Sequence, residues 1–300
     1  MLSIFIPMLA QSYNAKIGDV YYNLNSGDRT AEVTYGKSSI STYEGVIVIP
    51  AQITYGGITY TVTTIGYEAF FYCESLVSVT LPNTITKIGE SAFYQCLTLT
   101  KLTVPNSVTS IGASAFKNCS TLNSVTIGDN VLTIGARAFE NCYSLKSVTI
   151  PNSVISIGGY AFDACHDLVS ITIGSGVTVI GTGAFDCTNS TNRLRDIYIY
   201  AEQVPTTGNN VFPFIYTVWN SATLHVPEAS LDAYRTTSPW SNFTNIVAIP
   251  STDTAIDGMP VDATAPTQYY DLNGRMTTTP RRGLNIIRTG DGILRKIMVK

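Results

Sequence analysis

Charge is scarce in this 300-residue chain: Asp, Glu, Lys and Arg together make up 13% of it, roughly half the share usual for a soluble domain. No positive excess exists either. The net charge is −3 and the pI about 5.4, which leaves no overall electrostatic drive toward nucleic acid or an anionic membrane. Histidine occurs twice, so little material is present for imidazole acid–base chemistry. The longest apolar run, Leu2 to Ala10, is interrupted by Pro7 and falls well short of the roughly 20 residues a spanning helix needs, so no transmembrane helix is expected. C-x-x-C, G-x-S-x-G, H-E-x-x-H and P-loop motifs are all missing, and Gly181-Thr182-Gly183 lacks the third glycine of a dinucleotide loop. No catalytic residue, cofactor or metal is therefore assigned, and the chain is read as a non-enzyme.

Apolar residues, at 45%, and 18 tyrosines are plentiful, so the chain has the means to bury a core. The organising feature is a repeat. Ile-Gly recurs at Ile65-Gly66, Ile88-Gly89, Ile111-Gly112, Ile134-Gly135, Ile157-Gly158 and Ile180-Gly181, each 23 residues after the last. Phe70, Phe93, Phe116, Phe139, Phe162 and Phe185 keep the same step, as do Leu76, Leu99, Leu122, Leu145 and Leu168. The unit reads L-x-x-[VIL]-x-[VIL]-[PG]-x-x-V-x-x-I-G-x-x-A-F-x-x-C-x-x. Between Leu168 and Leu194 the step is 26 residues, so three extra residues sit within Thr188 to Arg193.

Leu76 to Leu81 alternates as one short strand does, with Leu76, Val79 and Leu81 inward and Ser78 and Thr80 outward. Pro82, Pro105 and Pro151, or Gly128 and Gly174, then turn the chain. The repeated glycine marks either a positive φ or a close approach of backbones. A-F-x-x-C fits a single helical turn carrying Phe inward. The predicted fold is a repeat solenoid with one short parallel strand and one short helical turn per repeat; the resemblance of the unit to leucine-rich repeats implies a leucine-rich-repeat-like right-handed coil. Like side chains stack from coil to coil. Cys73, Cys96, Cys119, Cys142 and Cys165 share the register and Cys187 misses it by one. Buried free thiols are the preferred reading over disulfides between coils, because parallel side chains make awkward bridging geometry.

This unit, above all A-F-x-x-C-x-x-L, resembles the 23-residue leucine-rich repeats of BspA-like bacterial surface proteins. Ala31 to Thr34 and Val46 to Pro50 resemble their N-terminal cap, and Ala222 to Pro227 with Tyr234 and Trp240 their closing coil. The resemblance implies a secreted or cell-surface adhesion protein binding a host or matrix protein or a glycan. Residues 268–300 are expected to form a small all-β segment of three strands. Tyr270 to Arg275 with Gly283 to Ile287 looks like the C-terminal secretion and sorting tails of Bacteroidetes proteins.

The organisation predicted is a signal peptide over 1–15, with a buried first strand as the other reading of Leu2 to Ala10. A β cap over 16–62 and repeats over 63–200 follow. A diverged closing repeat and cap occupies 201–250, a linker 251–267 and the β tail 268–300. The tail carries seven Lys or Arg against two Asp from Pro266 onward.

Outward strand positions are the candidate binding residues: Ser78, Thr80, Lys101, Thr103, Ser124, Thr126, Lys146, Thr149, Thr172, Arg195 and Tyr198. Threonine on an exposed strand is also simply a good β-former. Two other readings stand beside a binding face, a structural spacer and a hydrolase with its site in 206–234. Glu140 and Asp163 read as solvent-facing charges on turns, with no second carboxylate placed beside them. His166 and His225 read as surface or strand residues.

Overall fold

The computed structural model describes residues 13–36, 42–187, 193–212 and 216–249, together with the strands of the C-terminal segment. Of the signal peptide expected over 1–15, residues 1–12 lie outside the described residues, as does the linker expected over 251–267. The chain divides into two compact units, Met1–Ala248 and Ile249–Lys300.

The first unit is a parallel β-solenoid. Its six regular coils start at Leu76, Leu99, Leu122, Leu145, Leu168 and Leu194 and are called coils 1 to 6. Each opens with the expected strand: Leu76–Thr80, Lys101–Thr103, Ser124–Thr126, Ser147–Ile150, Ser170–Ile173 and Asp196–Ile199. Registers are strictly repeat-to-repeat, as in Ser147 opposite Ser170 and Ile150 opposite Ile173.

Two details differ from the sequence reading. Each coil carries a second strand of two residues, such as Lys87–Ile88 and Ser110–Ile111. These join one sheet, which begins with the antiparallel cap pair Val20–Asn25 and Thr30–Thr34 and runs on in parallel through Ile58–Ile65 to Thr206–Thr207. A two-residue strand is too short to show period-two alternation.

The A-F-x-x-C segment, moreover, is a run of tight turns and not a helical turn. Ser114, Arg137 and Tyr160 hold φ near +54 to +60°. That rotates the backbone so that the Phe116 and Phe139 N–H groups donate to Ala138 and Ala161 of the next coil, each at 2.7 Å.

The repeated glycine serves close approach. A Cβ on Gly135 would lie 2.5 Å from the carbonyl carbon of Gly112 and from the Ala113 nitrogen, closer than real Cβ atoms come.

The core is a dry spine. Phe70, Phe93, Phe116, Phe139, Phe162 and Phe185 are fully buried. Their rings stack at 4.7 to 5.4 Å with planes within 15°. Tyr43 closes one end at 4.6 Å from Phe70. Phe212 continues the stack at the other end, edge-on to Trp219, Trp240 and Phe243. Burial of each ring is worth about 1.5–3 kcal/mol.

The second unit is an antiparallel sheet of four strands, Gln268–Tyr270, Met276–Thr277, Gly283–Arg288 and Leu294–Val299. Three were expected. The extra one, Met276–Thr277, is again two residues long and pairs only with Tyr269 and Tyr270.

Candidate functional site: the outward strand face

The first strands of the coils form a face whose outward side chains fall in columns. One column pairs Lys101 with Ser124 and runs on through Ser147, Ser170, Asp196 and Thr223. The next pairs Thr103 with Thr126 and runs on through Thr149, Thr172, Tyr198 and His225. At the N-terminal edge Val46 and Val48 pair with Ser78 and Thr80 and are 66% and 63% exposed. Thr80, Lys101, Thr103, Ser124, Thr126, Lys146, Thr149 and Arg195 are exposed, while Ser78, Thr172 and Tyr198 are half-buried.

Lys146 and Arg195 belong to a third column, beside the serines. The Val169 N–H donates to Lys146 O at 2.8 Å and the Arg195 N–H to Val169 O at 2.9 Å, so these two cations stand two coils apart.

Sequence reading missed the C-terminal end of the face. His225 Nε2 lies 3.0 Å from Asp196 Oδ1, and the His225 ring stacks on Tyr198 at 4.1 Å with planes 11° apart. Burial, then the Asp196 charge, pushes the Tyr198 hydroxyl above its ordinary pKa. The signal was the outward place of His225 in Leu224-His225-Val226. The 27-residue step from Tyr198 hid it. His166 is placed elsewhere, stacked on Tyr143 at 5.2 Å.

The expectation that no second carboxylate lies beside Glu140 and Asp163 is corrected. One register step along the chain is one coil in space, so Glu140, Asp163 and Asp186 stand in adjacent coils. Lys117 and Arg137 pair with Glu140 at 2.9 and 3.5 Å. Asp163 is pushed up to about 6 by burial first, then by the charges of Asp186 and Glu140.

All six cysteines are buried and free. The thiols of Cys96, Cys119, Cys142 and Cys165 each donate to the carbonyl oxygen of the preceding coil's phenylalanine at 3.0 to 3.3 Å.

Within 206–234 and its surroundings, a hollow of about 310 Å³ is lined by Thr207, Asn209, Asn210, Trp219, Ser238 and Asn242, among others. Its described lining holds hydroxyl, amide and aromatic groups, without a carboxylate, imidazole or thiol. Among the described residues no group of three or more metal-ligating side chains occurs, and no helix is long and apolar enough to cross a membrane.

Known proteins place this architecture. No curated protein matches the chain. A leucine-rich repeat protein of T. pallidum is 28% identical, with a TM-score of 0.55, over 64% of this chain and 84% of that one. A leucine-rich repeat protein from Bacteroides ovatus is 21% identical, with a TM-score of 0.37, over 79% of this chain and 77% of that one. A leucine rich cell surface protein from Faecalibacterium prausnitzii gives 21% and 0.37 over 79% of this chain and 95% of that one. The BspA type leucine rich repeat region matches in six copies over residues 51–154 and 121–222. With more than half of its length so matched and its coils built from the 23-residue unit, this chain belongs to the BspA-type leucine-rich repeat family.

Proposed function

We propose that the chain is a secreted or cell-surface binding protein whose outward strand face engages a protein or glycan ligand. The observation that carries this is the face itself. In-register strands present consecutive rows of serine and threonine, with the alternate residues, such as Val148, Ile150, Ile171 and Ile173, committed to the core. The frame is held by inter-coil hydrogen bonds, so a ligand meets groups fixed in place before it binds, which lowers the ordering cost of binding. The surface location rests on the BspA-type membership, and the non-enzymatic reading on the absence of catalytic motifs in the sequence.

The experiment has two arms. Fractionation and protease shaving of intact producing cells should release the protein from the surface. The purified chain should retain matrix proteins or glycans from a panel, and replacement of Lys101, Lys146 and Tyr198 by Ala should abolish retention. Failure of every panel member to bind, or undiminished binding by the triple variant, overturns the reading.

A further inference from the structure

The turns that carry the phenylalanines pass a hydrogen-bond ladder from coil to coil, and that ladder has an end. Tyr160 and Phe162 of coil 4 donate their N–H groups to Thr182 O and Ala184 O at 2.8 and 2.7 Å. Gly183 and Phe185 of coil 5 donate likewise to Asn209 O and Val211 O at 2.9 and 2.8 Å. Asn210 and Phe212 hold the same two places in coil 6, and Asn210 keeps the left-handed backbone, φ 54° against 62° at Gly183. Their N–H groups therefore point the same way, along the line of stacking and away from coil 5. Among the described residues no carbonyl receives them. Both residues line the hollow of about 310 Å³.

The other polar groups around this hollow are uncommitted too. Asn209, Asn210, Asn242 and Ser238 are exposed, and among the described residues their side chains make no hydrogen bond. Elsewhere asparagines serve the fold. Asn106 and Asn152 accept the N–H groups of Asp129 and Ser175 in the following coil at 3.0 Å, and Asn118 pairs with Asn141 at 2.7 Å. The half-buried indole of Trp219, edge-on to Phe243 at 4.8 Å, supplies one aromatic wall. The described lining carries no charged side chain of either sign.

We infer that this hollow binds a neutral N-acetylated amino sugar, the terminal residue of a glycan. The acetamido carbonyl, a stronger acceptor than a hydroxyl, takes the two open backbone N–H groups on its two lone pairs. The acetamido N–H donates to a carboxamide oxygen, and the ring hydroxyls donate to and accept from the remaining carboxamides and Ser238. The acetyl methyl and the C–H face of the ring cover the indole. An acidic sugar would bring a charge that no cation in the lining answers. A plain hexose would offer the backbone donors only hydroxyl oxygens. The hollow lies at the small end of ligand sites, which suits one sugar. It is separate from the strand face and does not rest on that face's binding role.

The methyl β-glycoside of N-acetylglucosamine is the probe, titrated into the full chain and followed by tryptophan emission and by saturation transfer to its acetyl methyl. A dissociation constant on the order of 1 mM is expected for a single sugar. Methyl glucoside, N-acetylneuraminic acid and N-acetylalanine methylamide are the controls, each expected to bind at least about tenfold more weakly. Asn210→Gly combined with Asn242→Ala removes two carboxamides, the first at a φ that glycine adopts freely. This variant should bind the probe about tenfold more weakly. Should it prove unstable, Asn242→Ala alone replaces it, with a loss of about threefold. Equal binding by native and variant protein, a control bound as tightly as the probe, or no binding of the probe overturns the inference. Replacement of Lys101, Lys146 and Tyr198 by Ala should leave the titration unchanged while removing whatever the strand face holds, so the two readings fail separately. Loss of the probe in that triple variant would place the sugar on the strand face and overturn its assignment to the hollow.

Discussion

The Cys119 thiol donates to the carbonyl oxygen of Phe93 at 3.0 Å, an oxygen that also accepts the Cys96 N–H at 3.4 Å. The thiol thus fills a small core space and satisfies a second lone pair that burial would otherwise strand. Burial pushes Cys73 up to about 11 and Cys187 up to about 12, and Cys96, Cys142 and Cys165 well above the ordinary thiol value. The thiolate is the reactive form. Because all six thiols are buried, a thiol reagent such as DTNB at pH 8 should label none of them in the folded protein and all six in guanidinium. Rapid labelling of the native protein would contradict the buried ladder.

Phe116→Ala should cost about 3–5 kcal/mol, because the ring is fully buried between Phe93 at 5.2 Å and Phe139 at 5.0 Å. Urea unfolding followed by circular dichroism measures it. A loss under about 1 kcal/mol would mean that the coils close over the gap.

The repeated glycine and the residue two positions after it should respond to substitution in opposite ways. Gly135→Ala forces a Cβ against the Gly112 carbonyl and should destabilise by about 1–3 kcal/mol. Ser114→Gly relieves a left-handed residue at φ 54° and should raise stability by up to about 1 kcal/mol, the steric relief exceeding the entropy of glycine. Melting temperatures of the two variants should lie on opposite sides of the parent.

How much of this was legible depended on what the 23-residue step could carry. Phe116, Leu122 and Ile134 announced the core because identical residues at a fixed step must stack. Ser114 concealed its left-handed backbone because serine has no special liking for it. Lys87–Ile88 was too short to alternate. His225 was hidden by a second irregular step, 27 residues from Tyr198, and Asp196, between the assigned Arg195 and Tyr198, broke the serine pattern of its column. Glu140 and Asp163 were readable by the same step that found the phenylalanines. They were overlooked because their separation in sequence was taken for separation in space.

Stability should respond to pH through Asp163. Its folded value of about 6 lies above the ordinary 3.8, so the folded state holds a proton that the unfolded state releases. The stability this contributes is present in full below about pH 4 and is lost as pH rises through about 6. Asp163→Asn removes the cost of burying a charge there and, after it, the repulsion from Asp186 and Glu140. The variant should melt higher than the parent at pH 7.5 and equal to it near pH 4. An equal difference at both values would assign the effect to something other than ionisation.

The ladders that join the coils run along the line of stacking, so their hydrogen bonds point along any tension applied in that direction. Such a load peels the outermost winding from its neighbour and leaves the next untouched until that one has gone. Each of the four windings between Leu76 and Leu168 frees 23 residues, roughly 80 Å of slack when drawn out. Anchored at one end and pulled at the other, the molecule would yield by a succession of near-equal extensions, dissipating a jolt before it reached the anchor.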